Sequence, residues 1–304
     1  MFSKHLQRIN ASSSLVPVVK RGFAVNEKQI KMRIKAVSSI EKITKAMKMV
    51  AASKMRGDLG RLEQGKRFGF KSVDMMFKSD TYMQRKAPLQ DTHDPSEFLV
   101  PISSDRGLCG GINSSIVREL KAYAKDKTRA KIRILPVGEK GSIAMIRPFP
   151  DLIKSSISEI VTPYNYPTAM ALAQQITQQS EGFDKIVIYY NEFKSAISQI
   201  IRRMELLPRR KFLETMKFAR LYNQTRPDKN TSNPALYELY ITSNLWVAFL
   251  NNAASEQSAR MNAMENASKN AGEIIDKLNL QYNKARQARI TMELVEIISG
   301  ASAL

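Results

Sequence analysis

The run from Asn233 to Leu304, NPALYELYITSNLWVAFLNNAASEQSARMNAMENASKNAGEIIDKLNLQYNKARQARITMELVEIISGASAL, decides how the rest of the chain folds. Asn233 is a residue type that caps free N–H groups, and Pro234 is pre-set for a first helical position, so the pair reads as a helix start. No proline follows, and Gly272 alone interrupts before Gly300. Small or apolar residues recur at steps of four and three: Leu250, Ala254, Met261, Met264, Ala271, Ile275, Leu278, Tyr282, Ala285 and Met292. Gln257, Ser268 and Arg289 occupy the same register. Sustained over several heptads, this is a coiled-coil strand. At about 1.5 Å per residue it would be on the order of 100 Å long. A helix of that length needs a partner, and the sequence places one at the other end of the same chain.

That partner starts at Asn26. Apolar residues fall at Ile30, Ile34, Val37, Ile40, Ile43, Met47 and Val50, in steps of three and four. The step from Val37 to Ile40 is three where a strict heptad wants four, so a local change of winding is expected there. The polar face carries Lys28, Lys31, Arg33, Lys35, Lys42, Lys45, Lys48, Lys54 and Arg56, with Glu27 and Glu41 as the acids before Asp58. It is either a solvated face or a surface for an acidic partner. The helix is expected to weaken at Gly57, Gly60, Gly65 and Gly69, to resume through Met75–Phe77 and to end before Pro88.

Two striped helices at opposite chain ends predict an antiparallel intramolecular pair, with everything between them inserted at one end. The insertion reads as a small α/β domain. Phe98–Ser103, Lys131–Val137 and Lys185–Tyr190 have strand character, and Ile112–Lys125 and Thr168–Gln179 have helical period. Ile197–Leu207 is expected to pair with a neighbouring strand. Strands alternating with helices imply an open, largely parallel sheet. Arg209–Asn233, rich in Arg, Lys and Asn, reads as an irregular excursion.

Composition narrows the function. The 304 residues carry a formal net charge of +20 and a pI near 10.0, which calls for nucleic acid, anionic lipid or an acidic protein surface. Cys109 is the one cysteine, so an internal disulfide and a multi-cysteine zinc site are excluded. His5 and His93 are too few for a histidine metal centre. No apolar run is long enough to span a bilayer; the best, near Leu245–Leu250, is far too short. Residues 1–26 hold Lys4, Arg8, Lys20, Arg21 and several Ser but no acid. Such an amino end reads as a mitochondrial transit peptide, with a disordered basic tail as the alternative. Arg21-Gly22-Phe23-Ala24 places cleavage after residue 23.

The run Arg106-Gly107-Leu108-Cys109-Gly110-Gly111-Ile112-Asn113 follows a strand and precedes a helix, a context that invites a phosphate. Its spacing is neither G-x-G-x-x-G nor G-x-x-x-x-G-K-[ST], and Gly138-Glu139-Lys140-Gly141 is equally incomplete. A tight structural turn is the better reading. Cys109 has no His beside it for a nucleophilic pair. The carboxylates are scattered, with no acid/base pair.

Three signatures carry a resemblance. Ile43–Met55, ITKAMKMVAASKM, closely resembles the amino-terminal helix of the gamma subunit of the F-type ATP synthase. Ser104–Asn113, SDRGLCGGIN, is similar to that family's central loop. Ser255–Met261 and Tyr282–Thr291 are similar to its carboxy-terminal helix. The likeness runs from about Asn26 to Leu304 and is weakest over Arg209–Asn233. It implies an α/β fold in which a long antiparallel coiled coil of the N- and C-terminal helices carries an inserted Rossmann-like α/β domain. The implied divisions are a transit peptide at 1–23, the first helix at 24–87, the α/β domain at 88–208, the excursion at 209–233 and the terminal helix at 234–304.

The resemblance further implies a non-catalytic rotor subunit of the proton-transporting ATP synthase. Such a subunit couples rotation of the membrane ring to synthesis or hydrolysis of ATP on the beta subunits, with no cofactor of its own. It implies as partners the alpha and beta subunits, the epsilon and delta subunits of the central stalk and the membrane c-ring. It implies no nucleic acid, no direct membrane span, and a peripheral place on the matrix side of the mitochondrial inner membrane. Met47, Lys48, Arg286, Gln287, Thr291 and Glu293 are its implied beta-subunit contacts. With Cys109 alone, the chain lacks the regulatory dithiol of some photosynthetic relatives. Two other functions are compatible with parts of the sequence. A basic coiled coil that binds nucleic acid fits the charge but carries no recognised motif. A nucleotide-dependent enzyme rests on the Gly-rich loop alone.

Overall fold

The structure, a computed structural model, describes residues 27–67, 95–125, 131–216 and 229–302. The expected transit peptide and the resumption of the first helix through Met75–Phe77 lie outside the described residues. The described residues form two compact units, one from residues 27–39 and 271–302, the other within Ile40–Asn270.

Helix α1 runs Glu27–Gly65 and is a single uninterrupted element. Its inward positions include Ile30, Ile34, Val37, Glu41, Thr44, Lys48, Ala51, Met55, Asp58 and Leu62. That is an unbroken alternation of four and three, so the winding irregularity expected at Val37–Ile40 does not occur. The apolar residues leave the seam instead: Ile40, Ile43 and Val50 are 53%, 58% and 55% exposed. Polar residues take the inward places, Thr44 bonding back to the Glu41 carbonyl at 2.9 Å.

The last helix, here α6, runs Lys229–Ala301, a span of 73 residues. It begins four residues before Asn233, so Asn233 is not its cap and Pro234 lies inside it. Pro234 removes one backbone bond. Burial of Tyr237, Ile241, Leu245 and Ala248 in the domain core offsets that loss. Of the expected seam, Leu250, Ala254, Met264 and Ala271 are buried and Ile275, Leu278, Tyr282 and Ala285 half-buried, whereas Met292 is exposed.

Within the larger unit, Lys48 Nζ donates to Glu265 at 2.8 Å, and Leu62 packs with Leu250 and Ala254. Numbers therefore rise along α1 as they fall along α6. Gly65 lets the helices touch, since a Cβ there would overlap the Leu250 side chain. Within the smaller unit, Arg289 Nε lies 3.3 Å from the Glu27 carboxylate.

The α/β part of the larger unit holds a four-stranded sheet in the order β2-β1-β3-β4. Strand β1 (Glu97–Pro101) pairs in parallel with β2 (Ile132–Ile134) and with β3 (Lys185–Phe193). Strand β4 (Gln199–Leu206) is antiparallel to β3. Every residue of β1 is buried, as a central strand covered on both faces must be. One face packs on α2 (Ile112–Lys125) through Ile116 and Leu120. The other packs on α4 (Tyr166–Gln179) and on α6, through Ile176, Ile241 and Phe249. Asn165 caps α4 by accepting from Thr168 N–H at 2.9 Å.

Two segments depart from expectation. Arg209–Met216, read as part of an irregular excursion, is a helix, α5. Its Phe212 is buried against Tyr237 and Tyr240, with ring centroids 5.3 and 5.2 Å apart. Glu139–Ile146, read only as an incomplete phosphate motif, is helix α3. Gly138, at φ 99, caps it, and a Cβ at Gly138 or Gly141 would overlap Ser103. These glycines are required by the close approach of α3 to the end of β1.

Candidate partner-contact surfaces

The first surface lies on the outward face of α1. Ile40, Ile43, Met47 and Val50 recur at steps of three and four and share one face of the helix. Beside them the Gly-rich loop presents Leu108, 60% exposed at φ 61. Ile43, Met47, Val50 and Leu108 line an open groove of about 470 Å³ whose rim carries Lys54 and Arg106. Met47 is half-buried, and Lys48 is engaged by Glu265 rather than free.

The loop behind Leu108 is held from several sides. Ser104 N–H donates to Asn113 Oδ1 at 3.1 Å, and Asn113 Nδ2 donates to Ser104 Oγ at 2.8 Å. Cys109 is buried with Ile112 and Ala259. The Gly-rich run is thus a tight turn docked on α6, and Gly110 takes the left-handed φ of 61 that the turn needs.

The second surface is the end of α6. Arg286, Gln287, Thr291 and Glu293 are all exposed, as is Lys277 earlier on the same helix. Thr291 Oγ1 donates to the Gln287 carbonyl at 3.0 Å, and Glu293 lies 3.7 Å from Arg289. Beyond them Ile290, Met292, Leu294, Val295, Ile297 and Ile298 are between 44% and 67% exposed. At about 100° per residue these six span roughly 220° of the helix circumference, and Arg289, Glu293 and Glu296 take the remaining side. Met47 and Lys48 fall in the larger unit, and the four residues of the α6 end fall in the smaller one.

A third feature was not anticipated. Where β1 ends, a cavity of about 650 Å³ is lined by Asp58 of α1, Asp105, residues 159–164, and Glu256 of α6. Glu256 is 7% exposed and its carboxylate lies 2.5 Å from Arg260, itself 9% exposed. Burial pushes the Glu256 carboxyl above the usual carboxylate range even with Arg260 beside it. Asp105 is clamped: it accepts from Glu139 N–H at 2.8 Å and from Ile160 N–H at 3.0 Å. The signal available in the sequence was the pair Glu256 and Arg260, four apart on a helix face otherwise built of Ala, Ser and Met.

Among the described residues, no His, Cys, Asp and Glu side chains group as a metal site, and no helix is long and apolar enough to cross a membrane. The N-terminus of α3 is occupied by the Asp105 carboxylate, the position a phosphate would take.

A family model described as ATP synthase matches residues 26–304. The ATP synthase gamma chain of Pelagibacter ubique is 38% identical over 285 residues, covering 90% of this chain and 98% of its own. The mitochondrial ATP synthase F(1) complex subunit gamma of Dictyostelium discoideum is 34% identical over 281 residues, covering 91% of each. A chain in the Tetrahymena thermophila mitochondrial ATP synthase central stalk and c-ring structure is 49% identical, with a TM-score of 0.68, covering 74% of this chain and 99% of its own. A chain of the Euglena gracilis mitochondrial ATP synthase has the same fold, with a TM-score of 0.76 at 22% identity, over 91% of this chain and 94% of its own. By sequence over nearly its whole described length, the chain belongs to the gamma-chain family of ATP synthases.

Proposed function

We propose that this chain is the central-stalk rotor subunit of a mitochondrial ATP synthase. It couples rotation of the membrane c-ring to synthesis or hydrolysis of ATP on the beta subunits, and works peripherally on the matrix side of the inner membrane. It does no chemistry itself. Its partners are the alpha and beta subunits, the epsilon and delta subunits of the stalk, and the c-ring. The divisions at 1–23, 24–87, 88–208, 209–233 and 234–304 are the working scheme, with the first and last helices wound as an antiparallel coiled coil around a Rossmann-like insertion.

One observation carries the shaft reading: the broad band of exposed apolar side chains from Ile290 to Ile298. A helix apolar on one side packs on a neighbour. A band roughly twice as wide as an ordinary apolar stripe needs partners on more than one side, and a surrounding sleeve supplies them while letting the helix turn. In this reading Arg286, Gln287, Thr291 and Glu293 engage the beta subunits in one rotary orientation, and Met47 with Lys48 does so on the α1 face. An interaction drives such a cycle only if it differs between states.

The test is mild affinity purification of the chain from mitochondria. Alpha and beta subunits should co-purify with ATPase activity that the purified chain alone does not have. Recovery of the chain without them, or ATP turnover by the chain by itself, would overturn the proposal.

A further inference from the structure

We propose that the hairpin joining β3 and β4 is a torsional latch, whose bonds to α6 stop the α/β part from turning about the axis of that helix under load. The proposal deepens the rotor reading and rests on it. The latch lies wholly within the larger unit.

The grip on α6 changes character along the helix. Up to Ala253 the helix packs on the sheet through apolar side chains, among them Ile241, Leu245, Ala248 and Phe249. Apolar burial is non-directional and fixes a helix in place more than in rotation. From Asn252 onward the hairpin adds hydrogen bonds. Asn191 Nδ2 donates to Asn252 Oδ1 at 3.0 Å, and Ser255 Oγ donates to the Asn191 carbonyl at 3.0 Å. At the hairpin tip the Ala196 carbonyl accepts from Ser258 Oγ and from Asn262 Nδ2, each at 2.7 Å. Asn252, Ser255, Ser258 and Asn262 follow at steps of three, three and four, so they form one row along α6.

The tip is built to hold a direction. Ser195 Oγ accepts from the N–H groups of Ile197 and Ser198 at 3.3 and 3.0 Å. The Ser198 carbonyl accepts from the N–H groups of Lys194 and Ser195 at 3.3 and 3.0 Å. Ile197 is 88% exposed, while the Ala196 carbonyl is bonded to the helix. A tip kept only for stability would lay the isoleucine on α6, because burying it returns more free energy than one neutral bond. What this tip gains is angular precision. At the outer radius of a helix, about 5 Å, a turn of about 20° moves a donor by about 1.7 Å. That breaks a bond whose working range is about 2.7–3.2 Å. From another flank the Gly-rich loop holds the same turn of α6: Cys109 and Ile112 pack on Ala259, and Arg260 reaches the Gly107 carbonyl at 3.4 Å. In the proposed rotor the beta subunits engage the far end of α6, which leaves the α/β part for the ring to drive. Torque between them passes through this turn.

The experiment compares complexes reconstituted in vesicles with the unaltered chain, with Ser258→Ala, with Ser258→Ala plus Asn262→Ala, and with Asn262→Gln, which keeps an amide donor. Incorporation, ATP hydrolysis without an opposing gradient, and protons pumped per ATP against one are measured on each. Loss of each neutral bond should favour the slipped orientation by roughly fivefold. Pumping per ATP under load should therefore fall in Ser258→Ala, fall further in the double variant and be kept in Asn262→Gln. Incorporation and unloaded hydrolysis should hold in all, a split that a purely structural role would not produce. If the double variant does not incorporate, Ser258→Ala decides alone. The latch is overturned if pumping per ATP under load is unaltered, falls only in proportion to incorporation or unloaded hydrolysis, or is lost equally in Asn262→Gln. An unaltered chain that forms no pumping complex overturns the rotor reading instead, and the latch with it.

Discussion

Replacing Ile43 by alanine separates an apolar residue kept for the fold from one kept for a neighbour. Ile43 is 58% exposed, whereas Leu62 on the same helix is 2% exposed. Full burial of an aliphatic side chain is worth about 1.5–3 kcal/mol. With over half its surface in water, Ile43 should contribute no more than about 1 kcal/mol to the isolated chain. Leu62→Ala removes a side chain packed on Leu250 and Ala254 and should cost about 2–5 kcal/mol. In the assembled complex the order should reverse for function. A partner that covers Ile43, Val50 and Leu108 makes Ile43→Ala cost about 1 kcal/mol or more of binding, roughly a factor of five or above. Urea denaturation of the isolated variants gives the first pair of numbers. ATPase turnover and proton pumping of reconstituted complexes give the second. An Ile43→Ala chain as unstable as Leu62→Ala, or a complex with unaltered turnover and coupling, would refute a partner face on the outward stripe of α1.

Three further outcomes are expected. Arg286→Ala and Gln287→Ala should each lower turnover of the complex while leaving the subunit folded and incorporated, and Lys277→Ala should do much less; equal turnover in all three removes the catch role. Gly138→Ala forces both a left-handed φ of 99 and an overlap with the Ser103 carbonyl, whereas Gly182→Ala, at φ 90 with open space around it, carries the backbone cost alone. Denaturation should therefore show Gly138→Ala as the worse by more than about 1 kcal/mol. Lys211, 2.6 Å from Asp184, is the largest cause holding that carboxyl down at about 2, with Ser96 bonds assisting. A depressed carboxylate stabilises the fold above its unfolded pKa of about 3.9 and loses that contribution as pH falls through about 2. Lys211→Ala should thus cost about 1 kcal/mol at neutral pH, discounted for partial exposure, and the variants should converge in acid.

The helices and strands of the larger unit were legible where one periodicity ruled. Ile112–Lys125 ends where the sequence reading placed it, because Ile116 and Leu120 face the sheet while the opposite side is polar. Strands β1 and β3 were legible as continuous apolar runs, the mark of burial on both faces. Helix α3 was hidden by its glycines. Gly138 and Gly141 resemble punctuation in a sequence, but their reason is a neighbour, Ser103, that is distant along the chain. Helix α5 was hidden by its charge: Arg209, Arg210 and Lys211 dominate the composition, while Phe212 and Leu213 pack it on the core.

The misreading of α1 has a more general cause. Periodicity identifies a face but not what covers it. On α1 the apolar stripe through Ile40, Ile43 and Val50 is the outer face, and the inner face at that level is built of Glu41, Thr44 and Lys48. An isolated chain would gain by exchanging the two, since burying the isoleucines returns more free energy than burying a threonine and a half-exposed Lys48–Glu265 pair. That the exchange has not been made is the argument for a partner on this face. The same logic covers the end of α6, where Leu294, Val295, Ile297 and Ile298 stay in water. A chain optimised only for its own stability would carry Glu and Lys at these places. In the proposed reading both departures concern residues whose role is fixed outside the chain, where local pattern and intramolecular packing are poor guides.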